Sequence, residues 1–327
     1  MRVFLTGATG FIGAEVAAAL RARGDEVAAL VRSPEKAGRL KSEGVEIVAG
    51  GLGDREAVAR GMAGCDAVVH VAAIYEVGIP ESEHPAMYAA NVTGTETVLA
   101  AALEGKVGKV VYVSTVAAFG NTHGEVVDEG YEHPGGGYCS YYEQTKVEAH
   151  RVARRMIAEG LPCVIVQPGG VYGPGDHSAM GDMVTRFCDG KLPAMAFPEL
   201  GVNLAHRDDV AAGILLALDR GEPGEAYVLG GTITTMAGAI ETLASVLGRR
   251  PPRLTMPAVV IRAIAPLGRF VGPALGFPPN IRELVSSADG VTYWATDAKA
   301  RRELGYEPRE LEQGLRDLLA AEGRLPA

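Results

Sequence analysis

Cysteine is scarce in this chain. Four thiols, Cys65, Cys139, Cys163 and Cys188, are scattered through 327 residues. None belongs to a Cys-x-x-Cys and none has a histidine pair nearby. That spacing speaks against a zinc site and a disulfide frame, and reads as reduced thiols in a cytosolic protein. Positive charge is also short: 31 Lys and Arg face 40 Asp and Glu, a net charge of -9, with pI near 5.4. Nothing in that balance would neutralise phosphates, so nucleic acid and anionic membrane are not expected partners. No uninterrupted apolar run reaches the length of a membrane span. The chain opens Met1-Arg2 and goes straight into a strand, so no signal peptide and a cytoplasmic location are expected. Internal repeats and low-complexity segments are absent. What remains, 47% hydrophobic and 22% charged, is the composition of a soluble globular protein. The length suits one large domain or two moderate ones.

The other segments are arranged around Tyr138-Cys139-Ser140-Tyr141-Tyr142-Glu143-Gln144-Thr145-Lys146. Of its three tyrosines, only Tyr142 stands four residues before a lysine. Residues 140–160 read as a helix, which puts Tyr142 and Lys146 one turn apart on one face. A phenol titrates near about pH 10, and an adjacent ammonium favours the phenolate. The pair therefore predicts a tyrosine tuned toward neutrality that can exchange a proton with a substrate hydroxyl. Taken alone, the same spacing is also that of an idle helical surface pair. Cys139 reads as a spectator, with a lining role as the alternative.

The upstream chain alternates strands and helices. Val3-Phe4-Leu5 is a short buried strand, followed by Thr6-Gly7-Ala8-Thr9-Gly10-Phe11-Ile12-Gly13 and an alanine-rich helix to Arg23. Glycines between a first strand and its helix permit a tight turn and close approach of a pyrophosphate, which the helix N-terminus stabilises. Gly7, Thr9, Gly10, Phe11, Ile12 and Gly13 are the candidate cofactor contacts there. Residues 26–31 form the second strand. Its end lacks the acid that would hold a ribose 2′-hydroxyl and carries Arg32 instead, which suits a 2′-phosphate. NADP is therefore the preferred cofactor; an Arg32 that only stacks on adenine would leave NAD acceptable. Residues 45–48, 67–73, 109–113 and 164–166 read as the next strands. Ala72 and Ala73 give the fourth strand a small-residue exit beside which a cofactor can pass. His70 and His206 read as structural. Asp208 and Asp209 sit at a helix start, where acids suit capping and the dipole.

The Gly-x-x-Gly-x-x-Gly turn, Asn91, Ser114-Thr115, Tyr142 with Lys146, Val171-Tyr172-Gly173-Pro174, Asp208-Asp209 and Leu304-Gly305-Tyr306 occur in one order along nearly the whole chain. This series resembles the extended short-chain dehydrogenase/reductase family, the NAD-dependent epimerase/dehydratase superfamily. Within it, the chain looks most like the dihydroflavonol-reductase and hopanoid-associated-epimerase-like branch. The resemblance implies catalysis by Thr115, Tyr142 and Lys146, with Ser114 as the fallback hydroxyl and Lys146 also holding the nicotinamide ribose. It places Leu52, Ala72, Ala73, Asn91 and Pro168 along the cofactor, Asn91 in a supporting role. It implies a homodimer through the helices starting near residues 91 and 140. Two departures stand out. Gly51 replaces an aspartate that sits near the adenine amine. Gln167 and Gly170 replace an arginine and an asparagine, the latter serving sugar-nucleotide diphosphates, which argues against such a substrate.

The expected fold is α/β: a Rossmann-type doubly wound parallel sheet with a smaller, mostly helical C-terminal substrate lobe. The expected division gives residues 1–168 and about 202–232 to the dinucleotide-binding domain, and about 169–201 and 233–327 to the lobe. The expected function is NAD(P)-dependent hydride transfer to or from the carbonyl or secondary alcohol of a small substrate, with no metal. An apolar substrate is compatible: the stretch 256–277 reads as a packing helix, or more sharply as an apolar lid. The alternatives are a nucleotide-sugar epimerase or dehydratase with tightly held NAD, and a nucleotide-sensing regulator without turnover. Loops 75–85, 120–137 and 176–200 would choose the substrate. Pro134-Gly135-Gly136-Gly137 suggests mobility near the site.

Overall fold

The computed structural model describes residues 1–267 and 277–325. Seven strands form one parallel sheet: β1 (Arg2–Thr6), β2 (Glu26–Val31), β3 (Glu46–Ala49), β4 (Ala67–His70), β5 (Lys109–Val113), β6 (Cys163–Pro168) and β10 (Ala226–Leu229). Their order is β10-β6-β5-β4-β1-β2-β3. The order in which the chain adds strands reverses between β1 and β4, so a crevice opens at their C-terminal ends, where doubly wound sheets bind ligands. The strands are nearly continuous hydrophobic runs because helices cover both faces. On one face Val3, Leu5, Val111, Val164 and Leu229 meet the helices Phe11–Ala22 and Arg207–Arg220. On the other, Phe4, Val68, Tyr112 and Ile165 meet the helices Arg55–Met62, Gly94–Glu104 and Tyr141–Ala158.

The doubly wound fold expected from the alternation is the fold observed. The seventh strand, β10, was not legible. Nor was the three-stranded sheet of β7 (Gly170–Tyr172), β9 (Gly201–His206) and β11 (Thr232–Thr235), nor the pair β8 (Ala194–Ala196) with β12 (Leu254–Met256). These strands are three to six residues long, too short for a period to declare itself. A second core lies over this layer. Tyr172, Phe187 and Leu204 pack with the helices Met236–Val246 and Leu311–Ala321. Ile261, Ile281, Val285 and Phe197 form a third cluster. Of the apolar stretch 256–277, residues 268–276 lie outside the described residues; the part described buries Ile261 and exposes Val259 and Val260.

The tail returns to the sheet. Ala300, Leu304 and Tyr306 join the core beneath the helix Arg207–Arg220, and the Tyr306 hydroxyl donates to Gly230 O at 2.8 Å. The capping role expected of Asp208 and Asp209 is corrected here. His206 is the N-cap, its Nδ1 accepting the Asp208 N–H at 3.3 Å. Asp209 instead takes Arg309 bidentately, at 2.7 and 3.0 Å, and accepts the Arg309 N–H at 2.9 Å. The helix starts earlier than expected, with its cap three residues before Asp209, so that carboxylate turns from its own backbone toward the tail. Arg309 also reaches Asp317 at 2.7 Å. Arg309→Ala should therefore cost about 1–3 kcal/mol, since it strands the half-buried Asp209 charge. Thermal unfolding checks this: the midpoint should fall by several degrees, and an unchanged midpoint would show the pair to be idle.

Candidate active site

The glycine-rich turn lies at the crevice. Gly7 has φ +78°, and a Cβ there would stand 2.8 Å from Ala72 N; a Cβ on Gly13 would stand 2.1 Å from Gly7 O. Strand, exit loop and helix thus touch backbone to backbone, which only glycine permits. Gly10 N-caps the helix Phe11–Ala22 with no side-chain cap and no acid in the first turn. Its free N–H groups and positive dipole end suit a pyrophosphate. Thr9 and Gly10 are exposed, and Phe11 and Ile12 half-buried. Phe11 lies under the Arg207 guanidinium at 5.2 Å. Arg32 is exposed at the end of β2. Leu52 packs against the core of the opposite face. Asp54 does not replace the acid absent at Gly51, because it caps the helix Arg55–Met62 through the Ala57 N–H.

A buried relay ties the exit of β4 to the next helix. The Thr95 hydroxyl donates to Asn91 O at 2.7 Å, so it accepts from His70 Nε2 at 3.0 Å. His70 Nδ1 then accepts the Thr6 hydroxyl at 2.6 Å, and Thr6 accepts the Ala72 N–H at 3.3 Å. Burial holds this imidazole neutral, its pKa pushed down to about 3, which fits the structural role expected of His70. Asn91 sits in a π-helical turn, Ala89–Thr93, a distortion frequent at functional sites. Its amide accepts the Ile74 N–H at 2.7 Å and donates to Ile74 O and Thr145 Oγ1, both at 3.0 Å. Asn91 is thus fully engaged within the protein, clasping the β4 exit loop to the Tyr142 helix.

That helix, Tyr141–Ala158, starts with Ser140 accepting the Glu143 N–H at 3.0 Å. Tyr142 lies among Ile74, Val77, Ile79, Met87 and Ala117. The Tyr75 ring stands edge-on to it, centroids 4.9 Å apart. Thr115 follows β5. Its hydroxyl accepts the Ala117 N–H at 3.2 Å and donates to Pro168 O at 3.4 Å. It lies close enough to Tyr142 to favour the phenolate. Ser114 turns away and pairs with His150 Nδ1 at 3.1 Å. Of the two hydroxyls, Thr115 is the one brought to Tyr142. Lys146 Nζ donates to Val113 O at 3.1 Å and stands 5.4 Å from the Tyr112 ring.

The expected tuning of Tyr142 by Lys146 is not what the protein alone produces. Burial drives the Tyr142 phenol upward from its ordinary value; Tyr75 and Tyr112 add to the rise, and only Thr115 opposes it. Desolvation of the phenolate outweighs an ammonium aimed at a carbonyl. Tyr142 is accordingly a neutral phenol. Burial also lowers Lys146, to about 8.

A model of the NAD dependent epimerase/dehydratase family matches residues 3–230. The chain belongs to that family. Its relatives place it in the extended short-chain dehydrogenase/reductase branch. The chain is 33% identical over 330 residues to a protein named putative dihydroflavonol 4-reductase of Synechocystis sp., covering 96% of this chain and 92% of the relative. It is 32% identical over 336 residues to the 4-hydroxy-2-methyl-3-oxo-4-farnesyl-3,4-dihydroquinoline-1-oxide ketoreductase of Stigmatella aurantiaca, covering 100% and 99%. Among solved structures it resembles a DesIV double mutant, a dTDP-glucose 4,6-dehydratase from Streptomyces venezuelae with NAD and DAU bound: TM-score 0.78, 26% identity, covering 99% of this chain and 97% of that one. Membership makes this an enzyme, an NAD(P)-dependent oxidoreductase, and the glycine cradle fits the nucleotide of that family.

Sequence reasoning missed several neighbours of the site. Tyr75 lies in the loop 75–85 expected to choose the substrate, though no motif singled it out. Tyr293 lies near Glu143, Cys139, Tyr75 and Tyr142, and burial raises its phenol first of all. Glu283 reaches the Tyr141 N–H at 2.7 Å; the pattern Asn280-Ile281-Arg282-Glu283 was its one available signal, as a capping box. The buried lysine makes a further prediction. Its folded pKa lies below the value of the unfolded chain. Stability therefore rises between about pH 8 and pH 10.5, where the unfolded chain holds a proton the fold has released. Below that window the full cost of the buried ammonium remains. Lys146→Met should abolish turnover yet raise stability at pH 7 by on the order of 1–3 kcal/mol. Urea denaturation at pH 7 and 10 tests this: the gain should shrink at the higher pH.

Proposed function

We propose that this enzyme reduces the ketone of a small, largely apolar substrate with NADPH, and runs the reverse oxidation of a secondary alcohol. The observation that carries the reading is the surroundings of Tyr142, a neutral phenol set among Ile74, Val77, Ile79 and Met87 with Tyr75 at its edge. The nicotinamide, when bound, supplies or accepts the hydride at the carbonyl carbon. Tyr142 gives its hydroxyl proton to the carbonyl oxygen as the alcohol forms, and takes it back in the reverse direction. Thr115 orients that oxygen by a second hydrogen bond. Lys146 supplies positive charge beneath the phenol and suits the nicotinamide ribose. Gly7, Thr9, Gly10, Phe11, Ile12 and Gly13 hold the pyrophosphate. Leu52, Ala72, Ala73 and Pro168 line its path, with Asn91 shaping the wall.

The relatives' names support a reductase. Gln167 supports it too. At the place of an arginine, it is 1% exposed within β6 and cannot meet a sugar-nucleotide diphosphate. Arg32 supports NADP: it is exposed and free to pair with a 2′-phosphate. The likeness to a dehydratase with NAD bound favours the second reading, an epimerase or dehydratase that keeps its NAD. We further propose a cytoplasmic homodimer. The four free cysteines support the location. An exposed groove lined by His84, Pro85, Tyr88, Ala89 and Tyr141 supports the dimer.

Nucleotide released by denaturing the purified protein separates the two readings. Empty protein or exchangeable NADP is expected; near-stoichiometric NAD that survives dialysis would move the second reading ahead. Dihydroquercetin, a 2-alkyl-3-oxoalkanoate and a 3-ketosteroid are the ketones to assay first with NADPH. Tyr142→Phe should remove most turnover, at least about a hundredfold, while nucleotide binding persists. Retained turnover would refute the acid/base role. Arg32→Ala should raise the KM for NADPH about tenfold through loss of a charge-assisted hydrogen bond and leave the KM for NADH unchanged.

A further inference from the structure

The helix Ile281–Ala288 of the smaller lobe touches both walls of the Tyr142 site. At its start, the Asn280 N–H donates to Gly78 O at 2.9 Å, on the loop that carries Tyr75. Three residues on, Glu283 Oε1 accepts the Tyr141 N–H at 2.7 Å. Three residues further, the Ser286 hydroxyl donates to Cys139 O at 2.6 Å. Positions spaced by three lie on one helical face, so these contacts form a single clamp.

The middle contact is the unusual one. Tyr141 is the first residue of the Tyr142 helix, and its N–H has no partner within that helix. Ser140 serves the Glu143 N–H and leaves the Tyr141 donor open. The carboxylate that fills it comes from 142 residues away, and a negative charge there is also favoured by the dipole. Glu283 is committed to this task. In an ordinary capping box its side chain would fold back onto the N–H of its own N-cap. Asn280 does accept the Glu283 N–H, at 3.3 Å. The Glu283 carboxylate nevertheless points outward to Tyr141, steadied by Asn280 Nδ2 at 3.2 Å.

We propose that Glu283 is a positioning residue: it locks the first turn of the helix that presents Tyr142, so that docking of the smaller lobe sets the geometry of proton transfer. The inference rests on the reading of Tyr142 as the acid/base. Lobe and phenol are then one mechanical unit. A substrate held between them is protonated efficiently only when the clamp is closed.

Glu283→Ala, Glu283→Gln and Glu283→Asp test it beside Tyr142→Phe. Glutamine keeps an acceptor oxygen at the right reach; aspartate keeps the charge but falls one methylene short. Turnover is measured with NADPH and the ketone reduced fastest among the three named above. Hydrogen exchange of peptide 139–146 is followed by mass spectrometry. For Glu283→Ala, kcat should fall tenfold or more with the KM for NADPH unchanged, and exchange of that peptide should accelerate. Glu283→Gln should restore kcat to within about threefold, and Glu283→Asp should not. A Glu283→Ala protein with wild-type kcat and exchange would overturn the proposal. If that variant does not fold, the glutamine and aspartate variants decide, and equal kcat in both overturns it. Should no ketone turn over, exchange decides: acceleration in the aspartate variant but not the glutamine one supports the clamp, and equal exchange overturns it. Wild-type turnover in Tyr142→Phe would refute the underlying acid/base reading instead, leaving the exchange result to stand for the clamp itself.

Discussion

The desolvation of two neighbouring ionisable groups governs this molecule. Tyr142 and Lys146 are 8% and 3% exposed, and burial penalises the charged form of each: it keeps the phenol neutral and brings the lysine down to about 8. Holding them there opposes stability, so the surrounding structure must determine their place strongly. The first turn of their helix is capped by Ser140 and met from outside by Glu283. Its second turn is clasped by Asn91 through Thr145. Lys146 is anchored on the end of β5 through Val113 O. Each contact comes from a different part of the chain.

The same economy explains the division between the two faces of the crevice. On the nucleotide side, recognition depends on backbone: glycines let strand and helix approach, and an uncapped helix start offers its N–H groups. On the substrate side it depends on side chains, most of them aliphatic or aromatic. A phenol kept protonated by burial suits the proposed ketone reduction, in which the carbonyl oxygen needs a proton as the hydride arrives. The smaller lobe both covers that side and braces the helix beneath it.

Much of this was legible in the residues. The parallel sheet, the glycine turn and the Tyr142–Lys146 helix follow from period, glycine spacing and one four-residue offset. The structural reading of His70 follows from its place inside a strand, and its relay through Thr6 and Thr95 agrees with it. Asp209 was misread because a helix start is judged only loosely from sequence: the observed cap, His206, stands three residues before it, which frees Asp209 for a long-range ion pair. β7 to β12 went unseen because their pairing partners, rather than their own patterns, make them strands.

The sequence by itself determined the architecture and the chemical inventory, because periodicity and turn chemistry act over a few residues and are written locally. It paired Tyr142 with Lys146 on one helical face, and the family resemblance added a strand-end hydroxyl at the sheet's C-terminal edge. Only the tertiary structure decided their electrostatics. Whether an ammonium lowers a phenol depends on how much water each has lost and which way the cation points, and both are set by residues far apart in the chain. It likewise decided that Thr115 rather than Ser114 faces Tyr142, since a strand sends successive side chains to opposite faces and the sheet's register chooses which face is which.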